Sequence, residues 1–185
     1  MIAAILCGGK GERLRSVIGE HQKCAVDVGG RPWIHRVLDF LYDGGIEKVK
    51  LLTGYKAEEI EKASEAWMAA HRNYLNPYFV ECLHSEPSGT EKAVALAFSE
   101  TKEETLLIVN GDTLIEGYDL RGFLAARKCV TVRGPSVLSP KVVDSGLFFR
   151  FRGCGTKGSE RRTRLPFIDI GTPRGLAKAR RRFSS

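Results

Sequence analysis

The run Ile2-Ala3-Ala4-Ile5-Leu6 is apolar, of strand length, and ends abruptly in Cys7-Gly8-Gly9-Lys10-Gly11-Glu12-Arg13. Three glycines within four residues let the backbone take positive φ and turn its N–H groups toward a ligand. At the carboxyl end of a buried strand, such a nest of N–H groups suits phosphate. The loop fits neither familiar phosphate motif: it lacks the Gly-Lys-Ser/Thr ending of a P-loop, and Gly9-x-Gly11 lacks the third glycine of the dinucleotide fingerprint. Arg13 follows at once and Lys23 ten residues later. Two fixed cations beyond a glycine loop suit a triphosphate, and the plainer alternative is a tight turn with solvated basic residues.

The rest of the first 120 residues alternates strand and helix patterns. Trp33, Ile34, Val37, Leu38 and Leu41 recur at helical spacing, with Pro32 at the first helical position and Gly44-Gly45 as the stop. A second strand is expected over 49–53. A helix follows to about Arg72, with Ile60, Ala63, Trp67 and Ala70 inward, and then a third strand over 78–83. Thr90 reads as the N-cap of a helix over 93–98. Leu106-Leu107-Ile108-Val109 is the continuous apolar run of a buried parallel strand, and it ends in Asn110-Gly111-Asp112-Thr113. Four strands alternating with three helices predict an α/β, Rossmann-like, doubly wound and mostly parallel sheet. An aspartate at the end of its central strand lies where open α/β sheets place ligands. It is also what Mg²⁺ takes together with substrate phosphates.

The second half is thinner. A short helix is expected after Asp119, strands over 129–132 and 145–151, and a polar loop through Gly153, Gly155, Gly158 and Arg161 to Arg164. Phe167-Ile168-Asp169-Ile170-Gly171-Thr172-Pro173 precedes a basic helix, with Thr172 as cap and Pro173 at its first position. Asp169 is not needed for that cap, which favours a ligand role. With no repeat or low-complexity linker, residues 1–185 read as one domain.

Gly8-Gly9-x-Gly11-x-Arg13-Leu14, with Lys23 before Val28-Gly29-Gly30-Arg31-Pro32, resembles the signature of the sugar-1-phosphate nucleotidyltransferases. The Leu14-Arg15-Ser16-Val17 segment is similar to the heptose- and mannose-1-phosphate guanylyltransferase branch. The resemblance implies a single GT-A-like domain, with a nucleotide-binding half over 1–120 and a reduced sugar-phosphate-binding half over 121–185, and formation of an NDP-sugar and pyrophosphate from an NTP and a sugar 1-phosphate. It implies nucleotide contacts from Leu6, Gly8, Gly9, Gly11, Glu86, Pro87, Gly89, Thr90 and Gly111, and catalytic roles for Arg13, Lys23 and Asp112. Asp112 and Asp169 would share Mg²⁺, the cofactor, and Gly146 would line the sugar pocket. GTP is the mildly preferred nucleotide, drawn only from the branch. Most relatives carry proline before the lysine, where this chain has Gln22, a departure read as minor. The family's acidic-Lys-Pro stretch, whose lysine grips the sugar phosphate, is missing between Asp112 and Ser145, and Lys141 is the only nearby candidate.

Charge and cysteines narrow the alternatives. Residues 121–185 hold 16 of the 29 Lys and Arg but 3 of the 22 acids. A basic C-terminal third fits anionic partners, but no aromatic residues interleave the arginine runs to stack on bases, which disfavours nucleic acid. No run reaches the roughly 18 apolar residues of a membrane span and the opening run has no basic flank, so neither membrane nor signal peptide is expected. Five scattered cysteines without a zinc spacing fit reduced thiols in the cytoplasm. The competing functions are a non-catalytic NTP or sugar-nucleotide-binding module with a degenerate acceptor site, and a molybdopterin nucleotidyltransferase. The wide Arg13–Lys23 spacing argues against the latter. An oligomer is compatible with the resemblance, which leaves the state open.

Overall fold

The computed structural model describes residues 2–72, 79–84, 89–102, 105–117, 119–125, 131–133, 146–151, 160–162 and 167–184. The apolar runs of the first half become strands β1 (Ile2–Leu6), β2 (Lys48–Thr53), β3 (Phe79–His84) and β4 (Thr105–Asn110). Between them lie helices α1 (Arg15–Ile18), α2 (Trp33–Asp43), α3 (Ala57–Ala70) and α4 (Thr90–Ser99). The second half adds β5 (Thr113–Ile115), α5 (Leu120–Ala125), β6 (Thr131–Arg133), β7 (Gly146–Phe151), β8 (Glu160–Arg162), β9 (Phe167–Asp169) and α6 (Pro173–Phe183).

Seven strands form one sheet in the order β3-β2-β1-β4-β7-β6-β8. The β3, β2, β1 and β4 strands are mutually parallel, as the alternating pattern predicts, and β7 runs antiparallel to β4. Alternate residues of the buried strands feed two cores. Ala3, Ile5, Leu107 and Val109 pack with α2, α3 and α6 through Trp33, Leu38, Ile60, Trp67 and Leu176. Ile2, Ala4, Leu106 and Ile108 pack on the other face with Val94, Ala97 and Phe98 of α4. Each fully buried aliphatic side chain contributes about 1.5–3 kcal/mol relative to exposure. A strand apolar on both sides can satisfy that only inside such a sandwich of helices.

Strand order reverses between the parallel strands β1, which leads outward to β2, and β4, beyond which the sheet continues the other way through β7. The crevice beyond the carboxyl ends of these two strands is the switch point where open α/β sheets take ligands.

Several local expectations are corrected. Pro32 is the N-cap of α2 and Trp33 its first residue. Ala70 ends α3 exposed. Gly89, at φ 93°, is the N-cap of α4, and Thr90 is its first helical residue. Arg161 and Arg162, expected in a loop, pair as part of β8 with β6. The expected cap of α6 is present: Thr172 Oγ1 accepts from the Gly175 N–H at 3.1 Å. Among the described residues no helix is long and apolar enough to cross a membrane.

Candidate active site

The glycine loop leaves β1 still tied to its neighbour. The Cys7 N–H donates to the Leu52 carbonyl at 3.1 Å, and the Gly8 carbonyl accepts from the Tyr55 N–H at 3.1 Å. Gly8 is tightly enclosed: a Cβ there would lie 3.2 Å from the backbone of Thr53 and Gly54, which would have to give way by a few tenths of an ångström. Gly11, at φ 63°, turns the chain into a short 3₁₀ segment over Glu12–Leu14 that carries Arg13.

Lys23 sits in a second 3₁₀ turn, Lys23–Ala25, and its side chain runs along the loop. A Cβ on Gly11 would be 3.4 Å from Lys23 Cβ, and one on Gly9 would be 3.9 Å from Lys23 Nζ. Nζ ends 2.5 Å from Asp112 Oδ2, with the two side chains 18% and 16% exposed. Burial is the largest single influence and works against the charge on Lys23, but the Asp112 carboxylate together with Cys24 and Asp169 outweighs it, and the amine pKa stands above its ordinary value. Lys23 is therefore cationic at neutral pH.

Asp112 follows Gly111 at the end of β4. The Gly111 N–H donates to the Leu6 carbonyl at 3.0 Å, and its carbonyl accepts from Trp33 Nε1–H at 2.9 Å. A Cβ on Gly111 would meet Leu6 O at 2.8 Å and Cys24 Sγ at 3.0 Å, so only glycine lets β1 and β4 close here. The small β5–β9 ladder pairs Thr113 with Asp169 and brings the second carboxylate alongside. The Ile170 N–H donates to the Asp112 carbonyl at 2.9 Å, and Asp169 Oδ1 accepts from the Gly171 N–H at 2.6 Å.

Gly171 marks where these groups meet. A Cβ added to it would lie 2.9 Å from Asp169 Oδ1, 3.0 Å from Asp112 Oδ2 and 3.5 Å from Arg13 Nη2. Burial and then the Asp112 carboxylate push Asp169 above the ordinary carboxyl range, against the opposing pull of the Gly171 N–H, Arg13 and Lys23. Among the described residues no group of three or more His, Cys, Asp or Glu is placed to hold a metal ion. Two converging carboxylates without a third protein ligand fit Mg²⁺, which keeps open positions for water and substrate phosphate, better than an all-protein cage.

Leu6, Gly8, Gly9, Gly11, Arg13, Lys23, Gly111, Asp112 and Asp169 are thus gathered at the switch point. Gly89, exposed, and Thr90, half-buried, stand at the start of α4. Gly146 begins β7, one residue beyond the Val109–Leu147 pair and so level with the carboxyl end of β4. Glu86, Pro87 and Lys141 lie outside the described residues.

Three residues that the sequence assigns no role also shape the site. Gln22 is fully buried, Gly171 leaves the space between the carboxylates, and Gly175 abuts the Asp169 backbone, where a Cβ would lie 1.8 Å from the carbonyl oxygen. Gly171 has a signal in its place two residues after an aspartate in a capped motif, Gln22 has one in replacing the proline of most relatives, and Gly175 has none.

A family model described as the MobA-like NTP transferase domain matches residues 3–162. The chain is 40% identical, over 115 residues, to a D-glycero-alpha-D-manno-heptose 1-phosphate guanylyltransferase from Aneurinibacillus thermoaerophilus, covering 62% of this chain and 47% of that protein. It is 32% identical over 133 residues to the bifunctional protein GlmU of Methanocaldococcus jannaschii, covering 72% of this chain and 30% of GlmU. The chain therefore spans half or less of the length of these curated relatives. The crystal structure of HddC from Yersinia pseudotuberculosis complexed with GMP-PN superposes with a TM-score of 0.73 at 24% identity, covering 99% of both chains, and shows the same fold. Because the matched span runs through the glycine loop, Lys23 and Asp112 alike, the chain belongs to the MobA-like NTP transferase domain family.

Proposed function

We propose that this protein is a nucleotidyltransferase that forms an NDP-sugar and pyrophosphate from an NTP and a sugar 1-phosphate. The observation that carries the reading is Lys23 Nζ, a charged amine laid along the glycine loop and held 2.5 Å from Asp112. In the reaction a phosphate oxygen of the sugar 1-phosphate bonds to the α-phosphorus as the α–β bridge breaks and pyrophosphate leaves. The nucleophile is a phosphate monoester, already largely ionised because its second pKa is about 6, so no general base is required. The demands are alignment and positive charge around the reacting phosphates.

Backbone N–H groups of Gly8, Gly9 and Gly11 cradle the triphosphate, with Leu6, Gly111, Gly89, Thr90, Glu86 and Pro87 as further nucleotide contacts. Arg13 neutralises the departing pyrophosphate, and Lys23 stabilises charge that develops at the α-phosphate. Asp112 and Asp169 would hold Mg²⁺, which when bound acts as a Lewis acid toward phosphate oxygens. By the family resemblance, Gly146 and Lys141 would serve the sugar phosphate. The names of the relatives, a heptose 1-phosphate guanylyltransferase and a GMP-PN complex, favour GTP and a heptose- or mannose-type sugar phosphate. The free thiols of Cys7, Cys24 and Cys82 favour the cytoplasm.

The test is pyrophosphate release in the presence of Mg²⁺, with each NTP crossed against a panel of sugar 1-phosphates. Release that requires one NTP and one sugar phosphate is expected. A protein that is thermally stabilised by an NTP yet turns over no pair would be a binding module instead, and the proposal would fall.

A further inference from the structure

Gln22 is fully buried between an exposed His21 and a half-buried Lys23. Its carboxamide is committed to backbone at both ends. Nε2 donates to the Cys7 carbonyl, and Oε1 accepts from the Cys24 N–H at 2.5 Å. Its own main-chain N–H donates to Glu59 Oε2, in the first turn of α3, at 2.8 Å. The other oxygen of that carboxylate lies 3.2 Å from His21 Nδ1.

The two backbone groups that the carboxamide joins belong to the two halves of the phosphate site. Cys7 is the residue from which the glycine loop departs, and Cys24 is the residue after Lys23. A planar amide of fixed length therefore sets the spacing between the loop and the root of the lysine. Lys23 itself is a flexible four-carbon stem that loses rotamer freedom when its amine is held in one place. Its amine stays at Asp112 only if the turn beneath it is fixed. Buried amide groups left without partners are costly, so the latch is either fully made or lost.

The geometry points to Gln22 as a positioning residue for Lys23: it touches no substrate, and it holds the lysine turn against the glycine loop with Glu59 as the outer anchor. The kinetic consequence rests on the nucleotidyltransferase reading, and the structural one does not.

The informative variant is Gln22→Met, which is close in volume and makes neither hydrogen bond. Expected is a fall in kcat of about 100-fold, the scale of a misplaced catalytic group, with the KM for GTP unchanged. Melting-temperature elevation by GTP should persist. Amide hydrogen exchange should accelerate at Lys23–Ala25 while β1 and β4 stay protected. Glu59→Ala, at a part-exposed site that does not endanger the core, should change kcat and exchange in the same direction by less.

Unaltered kcat and unaltered exchange at the turn in Gln22→Met would overturn the assignment. So would a loss of kcat accompanied by loss of the GTP effect and of protection across β1 and β4, which would mark a merely structural residue. If Gln22→Met does not fold, unaltered kcat and exchange in Glu59→Ala would overturn it. If the unmodified protein turns over no substrate pair, the enzymatic reading fails on its own, and exchange at the Cys24 amide still decides the role of Gln22.

Discussion

Lys23 Nζ and Asp112 Oδ2 lie 2.5 Å apart although 89 residues separate them in the chain. The pair spans the crevice between the end of β1 and the end of β4, so one contact reports whether both halves of the site are assembled. A partly buried pair of this kind is not a large source of stability in itself. Removing one partner is costly because the other charge is left without compensation.

Lys23→Met should lower turnover by about 100- to 1000-fold, the effect of losing one donor aimed at developing charge. It should also lower the melting temperature, because Asp112 then faces Asp169 without its cation. Adding Asp112→Asn to Lys23→Met should recover the melting temperature and leave activity absent. A double variant no more stable than Lys23→Met would mean that the carboxylates do not repel.

Gly171 and Gly175 separate function from folding. Neither has positive φ, so alanine is conformationally allowed at both. At Gly171 the new methyl would fill the space between Asp169, Asp112 and Arg13, and activity should fall on the order of 10- to 100-fold with little change in melting. At Gly175 it would collide with the Asp169 carbonyl, so the first turn of α6 must shift. A stability loss of about 1–3 kcal/mol is expected in denaturant titration. Equal melting of the two variants would contradict the geometry.

His35 links α2 to α3 by donating from Nε2 to the Ala63 carbonyl at 2.7 Å. Burial, only partly offset by that carbonyl, pushes its pKa below the ordinary value of 6.5. The unfolded chain therefore takes up a proton first as pH falls. Stability from this group is complete above pH 6.5 and is lost progressively below it, down to the folded-state pKa. His35→Gln, which keeps a donor, should flatten the fall in melting temperature between pH 7 and 5. An unchanged pH profile would rule His35 out as a source of acid sensitivity.

Cys7 and Cys24 are both fully buried. Burial, then the neighbouring Cys24, pushes the Cys7 thiol well up, and burial pushes Cys24 up to about 12 despite Lys23 nearby. Thiols of this kind are inert. In the native protein at pH 8, iodoacetamide should leave both unmodified by peptide mass spectrometry, while in denaturant all five cysteines of the chain should react. Native labelling at Cys24 would show that the turn bearing Lys23 opens.

The four parallel strands, their helices and the two site motifs were legible in the chain because local properties carry them. An apolar run must be buried, a helical period must present one face, and glycines mark where a loop must turn or a ligand approach. Asp112 and Asp169 could be singled out in this way, each from its own few neighbours. What brings them together is β5 and β9, each three residues long and too short to carry a readable period, so their pairing became visible only in the fold. The same holds for α6, whose basic sequence suggested an anionic partner. Within the fold, Arg180 Nε donates to the Asp27 carbonyl and Arg182 pairs with Glu116, so part of that charge is spent on the chain itself. Gln22 looked like a minor departure in a polar stretch. Tertiary structure buries it, because the value of a hydrogen bond to Cys7 depends on a neighbour that sequence order does not supply. Local chemistry determined which elements form and which residues could act, whereas long-range pairing decided which of them meet.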